Sequence, residues 1–319
     1  MITNFIVAFV LVVSSVVYLK LATYFQIIDK PNHRSSHTNP TIRGGGVLFL
    51  IALFLFFILS KGAYLYFFLG TFLIAFVSFI DDLKDLSAKQ RLPFQLISIC
   101  LLLFQVFGTD IYLLWIPVLC IVGIAFINLY NFMDGINAIT GMYSFVVLMI
   151  LYLVNLDAKI LEAAIFKYQF IALVVFGFYN FRKKAKFFAG DIGSITLAMI
   201  VFFTGLFLIV KLESPLLALT VIVYSTDSIL TLLHRKFLLK ENVTEAHRHH
   251  LYQKIVDQTS LSHIQTSGLY AVIQILVGCI IVTNYTISFN NQLLIFIASV
   301  IFFILIYIFL FFRLKTKNN

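Results

Sequence analysis

Long apolar runs alternate with short polar segments along almost the entire chain. Runs of roughly the length that crosses a bilayer as an α-helix, about 17–25 residues, fall at 1–24, 45–60, 64–80, 93–108, 111–127, 138–155, 162–180, 192–210, 215–233, 267–284 and 291–312. The second run is short, and three glycines mark its start. The pattern predicts an all-α polytopic membrane protein with about eleven transmembrane helices, folded as a single integral membrane domain over residues 1–319.

The composition supports this prediction. Of 319 residues, 61% are hydrophobic and 12% are charged, and the mean hydropathy is +1.01. A water-soluble fold has too little interior to bury so much apolar surface, so the excess is expected to face lipid. The net charge of +9 could indicate a nucleic-acid partner, but the basic residues are scattered over short loops instead of forming one patch. We therefore expect a bilayer, and no nucleic acid, as partner.

The basic residues are divided unequally between the two sets of alternate loops. One set carries nearly all of them, whereas the other holds little beyond Lys61, Lys159, Lys167 and Lys211. Cytoplasmic loops of membrane proteins carry the excess of lysine and arginine. The asymmetry predicts that the N-terminus lies outside and the C-terminus in the cytoplasm, with almost all candidate chemistry on the cytoplasmic side.

The first candidate site is a group of carboxylates at the cytoplasmic end of the third predicted helix. If that helix continues, Asp81, Asp82 and Asp85 lie on one face, three or four residues apart. Like charges at this spacing repel one another unless a cation or a shared proton lies between them. The alternative is a solvated helix end with Lys84 as the charge partner.

Two further groups combine carboxylate, amide and glycine. Asn128, Asn131 and Asp134 recur every three residues, and such an oxygen-rich stripe is costly at membrane depth unless it lines a cavity. The alternative for this group is a hydrophilic hinge. Gly190 and Asp191 open the eighth predicted helix, where backbone N–H groups can bind an anion. The alternative is that Asp191 only caps that helix.

Basic side chains and one buried acid supply the remaining candidates. The segment 245–252 contains four of them, namely His247, Arg248, His249 and His250. This set could hold zinc, although no cysteine or second histidine pair lies nearby in sequence. Histidine and arginine together suit a diphosphate equally well. Arg43 precedes three glycines that could form an anion-binding turn. Asp227 lies inside the ninth predicted helix, where an acid is expected to be functional.

The kind of ligand atom narrows the chemistry. Oxygen ligands without a thiolate cluster favour Mg²⁺ or Mn²⁺ over zinc, and magnesium usually takes one or two carboxylates plus substrate phosphates. Carboxylates, glycine-rich helix starts and basic loops together indicate phosphoryl chemistry on a nucleotide. The main alternative is a polytopic transporter of an anionic substrate. A transporter needs acids and broken helices near the bilayer midplane, and only Asp227 lies well inside a predicted span.

Six motifs occur in the order found in one known family: DKPNHRSSH, PTIRGGG, DDLKDL, NLYNFMDGIN, FFAGDIGS and HRHHLYQ. From about Asp29 to Tyr252 the chain resembles the polyprenyl-phosphate N-acetylhexosamine-1-phosphate transferases, the superfamily of MraY and WecA. RSSH, RGGG and EAHRHHLYQ look closest to the WbpL-like branch. That branch starts the synthesis of O-antigen or other surface polysaccharides, often from 6-deoxy N-acetylated sugars on UDP.

The resemblance implies transfer of a sugar-1-phosphate from a UDP-sugar to undecaprenyl (polyprenyl) phosphate, with release of UMP. It implies magnesium ligation by Asp191, the principal ligand, and by Asp82. The implied catalytic residues are Asp81, Asp82, Asp134 and His247. The implied substrate-binding residues are Asn128, Asn131, Phe188 stacked on uracil, Gly190, Arg43, Arg248, His249 and His250.

We expect the lipid phosphate to attack the sugar-linked phosphorus in one step. A phosphate monoester with a second pKa near ~6 is already largely dianionic at neutral pH, so a strong base is not required. A covalent aspartyl-phosphate route is the alternative. The resemblance also implies a bacterial cytoplasmic (inner) membrane protein with its site facing the cytoplasm, and it leaves a homodimer open.

The chain departs from the family pattern at two places. The segment FRKKAK, residues 181–186, is basic where relatives often carry a proline–alanine pair, which leaves open the uracil contact that the resemblance implies for Asn180. The cluster HRHH replaces the consecutive histidines of MraY. This difference argues against the peptidoglycan branch.

Overall fold

The computed structural model describes residues 2–29, 31, 39–110, 112–242 and 248–314. Regular structure within this part of the chain is almost entirely helical, in twelve α-helices: α1 (Ile2–Tyr24), α2 (Val47–Leu59), α3 (Leu65–Lys84), α4 (Ala88–Phe107), α5 (Trp115–Phe132), α6 (Ile139–Ala158), α7 (Ala163–Asn180), α8 (Gly190–Leu212), α9 (Ile222–Leu233), α10 (Leu251–Gln258), α11 (His263–Asn284) and α12 (Phe289–Arg313). A 3-10 turn, Pro215–Val221, precedes α9, and a π-helical turn, His234–Leu239, follows it. Two short antiparallel strands, β1 (Ile28–Asp29) and β2 (Thr41–Ile42), pair between α1 and α2.

Ten of the described segments are long and apolar enough to cross a membrane. The helix α2 is also apolar but has only 13 residues, and α10 is a short helix of 8 residues outside these spans. The prediction of an all-α polytopic membrane protein is therefore confirmed. The number of about eleven crossings and their orientation stay predictions, because α2 is shorter than a bilayer core is thick.

The start of α4 differs from the sequence prediction. The helix begins at Ala88, whereas the apolar run was expected to begin near residue 93. Ser87 and Gln90 form a capping box in which the Ser87 N–H donates to Gln90 Oε1 at 2.8 Å. Pro93 lies in the second turn, where it removes one helical hydrogen bond without ending the helix.

The centre of the bundle is formed by α6 and α8. In the most apolar 18-residue stretch of each of these two helices, 67% of the residues are buried, against 6% in α12. Helices that are apolar on all sides are stable when they are surrounded by other helices or by lipid. Because α8 packs against α3, α5 and α6, its first turn at Gly190 lies in the middle of one end of the bundle.

Candidate active site

The first turn of α8 is capped by a carboxylate from another helix. The backbone N–H of Asp191 donates to Asp82 Oδ1 at 2.8 Å, and the N–H of Ile192 donates to Asp82 Oδ2 at 3.1 Å. The first N–H groups of a helix have no partner within it and carry a partial positive charge. Asp82, near the end of α3, therefore caps α8. The sequence analysis considered Asp191 for this cap, but Asp191 is the second residue of the helix.

Gly190 makes this approach possible. Its φ angle is +71°, and a Cβ built there would lie 2.6 Å from Asp82 Oδ2. Any side chain at this position would displace the carboxylate from the helix end. Gly190, expected to bind substrate, thus has a structural role in the site as well.

Two arginines complete what we call the carboxylate–arginine cluster, made of Asp81, Asp82, Asp191, Arg43 and Arg91. Arg43 Nε lies 2.6 Å from Asp82 Oδ1, and Arg91 Nη1 lies 2.7 Å from Asp81 Oδ2. Both guanidinium groups also lie 3.5 Å from the Asp191 carboxylate, one at each oxygen. Burial lowers the pKa of Arg43, but the charges of Asp82 and Asp191 outweigh this effect and raise it above its ordinary value.

The glycines after Arg43 hold it in this place. The N–H groups of Gly45 and Gly46 donate to the carbonyls of Phe188 and Ala189 at 2.8 and 2.9 Å. A Cβ on Gly45 would lie 2.1 Å from the Phe187 ring. The triple glycine was expected to form an anion-binding turn. In the structure it allows the start of α2 to pack directly on the segment that leads into α8.

Arg91 is the site residue that the sequence reasoning missed. Lys84 was the charge partner only in the alternative of a solvated helix end, but Lys84 is exposed and Arg91 makes the ion pair with Asp81. The helix also ends at Lys84, and Asp85 adopts a φ of +48°, so Asp85 does not share the face of the other two acids as expected. The capping box of Ser87 and Gln90 could have identified Arg91 as a site residue. It places the start of α4 at Ala88, which shortens the turn after α3 and brings the two helix ends together.

The amide stripe of α5 is divided between two neighbours. Ser194 Oγ, in the second turn of α8, donates to Asn131 Oδ1 at 2.5 Å. Asn128 instead pairs with Gln95 of α4 through reciprocal amide hydrogen bonds of 3.1 and 3.2 Å. The structure therefore joins Asn131 to α8 through Ser194 and places Asn128 in a helix–helix contact.

Asp134 follows α5 and lies within electrostatic range of Asp82 and Arg43. Burial raises the pKa of Asp134 from its ordinary 3.8 to about 6, and the charge of Asp82 adds to this effect. The next residue, Gly135, lies under Tyr252 of α10: a Cβ there would be 2.0 Å from the Tyr252 hydroxyl. The α10 segment is thus in contact with the residues around Asp134.

Phe188 and Asn180 flank the approach to α8. The Phe188 N–H donates to Ile42 O at 2.8 Å, and its ring is only partly buried. The uracil stacking implied for Phe188 stays a prediction. Asn180 is buried and accepts a hydrogen bond from the N–H of Ala138 at 2.8 Å while donating to Phe187 O at 3.0 Å. Both ends of the Asn180 amide are therefore engaged by the backbone.

The histidine segment is held by acids outside the carboxylate–arginine cluster. His247 lies outside the described residues. Arg248 donates to both oxygens of Asp257 at 2.7 and 2.9 Å, and this fork raises the pKa of Arg248. His249 Nε2 lies 3.2 Å from Glu241, and His250 Nδ1 lies 3.3 Å from Asp227. The substrate-binding roles of Arg248, His249 and His250 stay predictions.

The cluster can be tested for its fit to a divalent metal. In the described ranges no group of three histidine, cysteine or acidic side chains is arranged to hold an ion. Both Asp82 oxygens accept backbone hydrogen bonds, whereas the Asp191 side chain is 19% exposed and its nearest cations are 3.5 Å away. Magnesium is often bound by one or two carboxylates with substrate phosphates. Asp191 fits that arrangement, and Asp82 would have to release a hydrogen bond to join it.

The fold and the cluster together define a polytopic membrane protein with a charged oxygen- and guanidinium-rich site at the start of its central helix. Residues 64–210 match the model of the family described as Glycosyl transferase family 4. The matched region extends from the start of α3 into α8 and includes Asp81, Asp82, Asp134 and Asp191. Over these residues the chain is similar to family 4 glycosyltransferases, and the MraY- and WecA-type enzymes of that family are generally dependent on a divalent metal. No curated protein matches the chain.

Proposed function

We propose that the protein transfers an N-acetylated sugar-1-phosphate from a UDP-sugar to undecaprenyl (polyprenyl) phosphate, releasing UMP. The observation that carries the proposal is the carboxylate–arginine cluster at the start of α8, four of whose five residues lie in the matched region. The product would be a lipid-diphosphate-linked sugar. Its formation would start the synthesis of O-antigen or another cell-surface polysaccharide, as in the WbpL-like branch.

The cluster is suited to bind phosphates. Guanidinium groups recognise phosphate oxygens through paired hydrogen bonds, and a helix start attracts anions. Arg43 and Arg91 face the Asp191 carboxylate from both sides at 3.5 Å. A donor diphosphate placed beside Asp191 would be reached by both arginines. A magnesium ion held by Asp191 would neutralise charge on that diphosphate.

The acceptor phosphate would lie near Asp81 and Asp82 at the end of α3. Its oxygen attacks the sugar-linked phosphorus, a new phosphorus–oxygen bond forms, and the bond to UMP breaks. Because the acceptor is largely dianionic at neutral pH, these acids would position it instead of taking a proton. Positioning and charge neutralisation are the main sources of acceleration in such a transfer.

The remaining residues are assigned to the donor. Asn131, bonded to Ser194 of α8, and Asp134, within electrostatic range of Asp82 and Arg43, would contact the nucleotide, with Phe188 against uracil. The segment containing Arg248, His249 and His250 would approach the donor from α10.

The transporter alternative depends on Asp227, the acid inside α9. A transport site needs an acid that a substrate can reach from a cavity. Asp227 is 2% exposed, and other protein groups already bind both of its oxygens. Its environment therefore favours a structural role.

The test is an exchange assay with purified protein. The wild type should exchange radiolabelled UMP into a UDP-N-acetylsugar when magnesium and undecaprenyl phosphate are present. Asp191→Asn should lower the exchange at least about 1000-fold, since it removes a charge that acts on the reacting phosphates. The control is Asp157→Asn at the far end of α6, which should exchange like the wild type. Absence of magnesium-dependent UMP release with every UDP-N-acetylsugar tried would refute the proposal.

A further inference from the structure

Asp227 caps α10 from a different helix. Its Oδ1 accepts the N–H of Leu251 at 2.9 Å, and its Oδ2 accepts the N–H of Tyr252 at 3.2 Å. These are the first two residues of α10. The arrangement repeats that of Asp82 at the start of α8, so two buried acids fix the starts of two helices beside the site.

Side chains from three further positions converge on the same carboxylate. The Tyr270 hydroxyl of α11 donates to Oδ2 at 2.7 Å, and the Thr231 hydroxyl donates to Oδ1 at 3.2 Å. His250 Nδ1 lies 3.3 Å from Oδ1. A buried carboxylate is tolerated only when hydrogen bonds replace its hydration. Asp227 thus joins α9, α10 and α11 at one point.

The contacts of α10 lead from Asp227 to the proposed donor site. Tyr252, whose N–H is held by Asp227, donates through its hydroxyl to Phe132 O at 3.4 Å and lies directly over Gly135. At the other end of α10, Asp257 holds Arg248 by its two-pronged ion pair. Any shift of the start of α10 would therefore move Arg248 and His250 relative to the residues around Asp134.

We propose that Asp227 is a positioning residue for the nucleotide-sugar donor. It fixes the start of α10 and the ring of His250, and so holds the segment Arg248–His250 at the distance from Asp134 that donor binding requires. This inference rests on the proposed function. It assigns the intramembrane acid a task that neither the transfer step nor the family match requires.

The first test is Asp227→Asn. The amide keeps one oxygen but presents an NH₂ group where Leu251, Tyr252 or Tyr270 donates, so at least one hydrogen bond is lost. The KM for the UDP-sugar should rise about 10- to 100-fold. This factor corresponds to the free energy that one hydrogen bond to a charged group contributes. The KM for undecaprenyl phosphate should change less than about twofold, because α10 packs on α9, α11 and α12, whereas the acceptor phosphate is placed at the end of α3.

A second variant covers the case in which Asp227→Asn does not fold. Tyr270→Phe keeps the ring and removes only the 2.7 Å hydrogen bond, so it should raise the donor KM in the same direction by a smaller factor. Asp157→Asn is the matched control, because Asp157 also accepts a hydrogen bond from a tyrosine, Tyr285, but lies at the far end of α6. The inference is wrong if Tyr270→Phe leaves the donor KM unchanged or raises both KM values equally.

Direct binding separates this inference from the proposed function. Calorimetry with UDP and with UDP-N-acetylglucosamine does not need turnover, and hydrogen exchange reports the amides of Leu251 and Tyr252. If the wild type binds UDP in calorimetry but releases no UMP from any UDP-N-acetylsugar in the exchange assay, the transferase proposal is refuted. The inference would still be supported if Tyr270→Phe weakened UDP binding and exposed those two amides to exchange. It would be overturned if UDP affinity stayed the same while the amides lost protection.

Discussion

Single atoms decide the geometry of the carboxylate–arginine cluster. The absent Cβ of Gly190 lets Asp82 reach the first N–H groups of α8, and this places the Asp191 carboxylate between two guanidinium groups. The cap and Arg43 together engage both oxygens of Asp82. The neighbouring carboxylates therefore differ in chemistry: Asp82 also caps a helix, whereas Asp191 is the more open oxygen ligand.

Asp134 gives a prediction on the pH dependence of stability. Its pKa in the folded protein is raised from 3.8 to about 6, so the folded state favours the protonated form. The stabilisation is complete below about pH 4 and is lost as the pH rises through about 6. Asp134→Asn cannot ionise. Relative to the wild type it should gain about 1–3 kcal/mol between these pH values and nothing further above pH 7.

The measurement is thermal unfolding of both proteins in detergent at half-unit steps from pH 4 to pH 7.5. The difference between the two melting temperatures should rise through the window and then level off. A difference that is independent of pH would show that Asp134 titrates normally in the folded protein.

At the scale of elements, the start of α2 packs on the start of α8 through glycine. A Cβ on Gly46 would lie 2.2 Å from the Cα of Gly193 and 2.8 Å from the carbonyl of Ala189. Both are backbone atoms, so the added methyl group must push two helices apart. This contact keeps Arg43 beside Asp82, which makes the glycine important for activity as well as for stability.

We predict that Gly46→Ala destabilises the protein by about 1–3 kcal/mol, the usual cost of overpacking, and lowers UMP exchange with it. Gly268→Ala in α11 is the control, because a Cβ there meets no atom within 4 Å. That variant should be unchanged or more stable by about 0.5–1 kcal/mol, since alanine favours a helix interior. Thermal unfolding together with the exchange assay checks both variants. Equal behaviour of the two would contradict the packing argument.

The elements also show which features the sequence could predict. Apolar runs located the long helices because their signal is local, and the motifs located Asp81, Asp82, Asp191 and Arg43. The cap of α8 could not be predicted, since Asp82 and Asp191 are 109 positions apart and no local pattern records their contact. Arg91 was missed because the apolar run predicted α4 only from residue 93, whereas the helix begins at Ala88. The short helix α10 has no long apolar run, so its role in holding the histidine segment became visible only in the fold.

At the scale of the molecule, the cluster constrains how the first helices run. Arg43 precedes α2 and Asp82 ends α3, and the two side chains are 2.6 Å apart, so α2 and α3 are antiparallel and the turn between them lies away from the site. Yet α2 has 13 residues, about 20 Å of helix, against about 30 Å of hydrocarbon core. The turn at Lys61 is expected to be drawn towards the membrane, with the lysine reaching the interface.

Cysteine accessibility in intact cells tests this arrangement and the predicted orientation together. In a background in which Cys100, Cys120 and Cys279 are replaced by alanine, single cysteines are placed at exposed lysines, one variant each for Lys61, Lys159 and Lys184. Lys159→Cys should react with a membrane-impermeant maleimide from outside, and Lys184→Cys only after permeabilisation, because the lysine-rich loops are expected in the cytoplasm. Lys61→Cys should react from outside but several-fold more slowly than Lys159→Cys, since a short α2 holds it closer to the bilayer.

Labelling of Lys184→Cys in intact cells would reverse the orientation and place the cluster outside, where a cytoplasmic UDP-sugar could not reach it. Labelling of Lys61→Cys only after permeabilisation would mean that α2 does not complete its crossing.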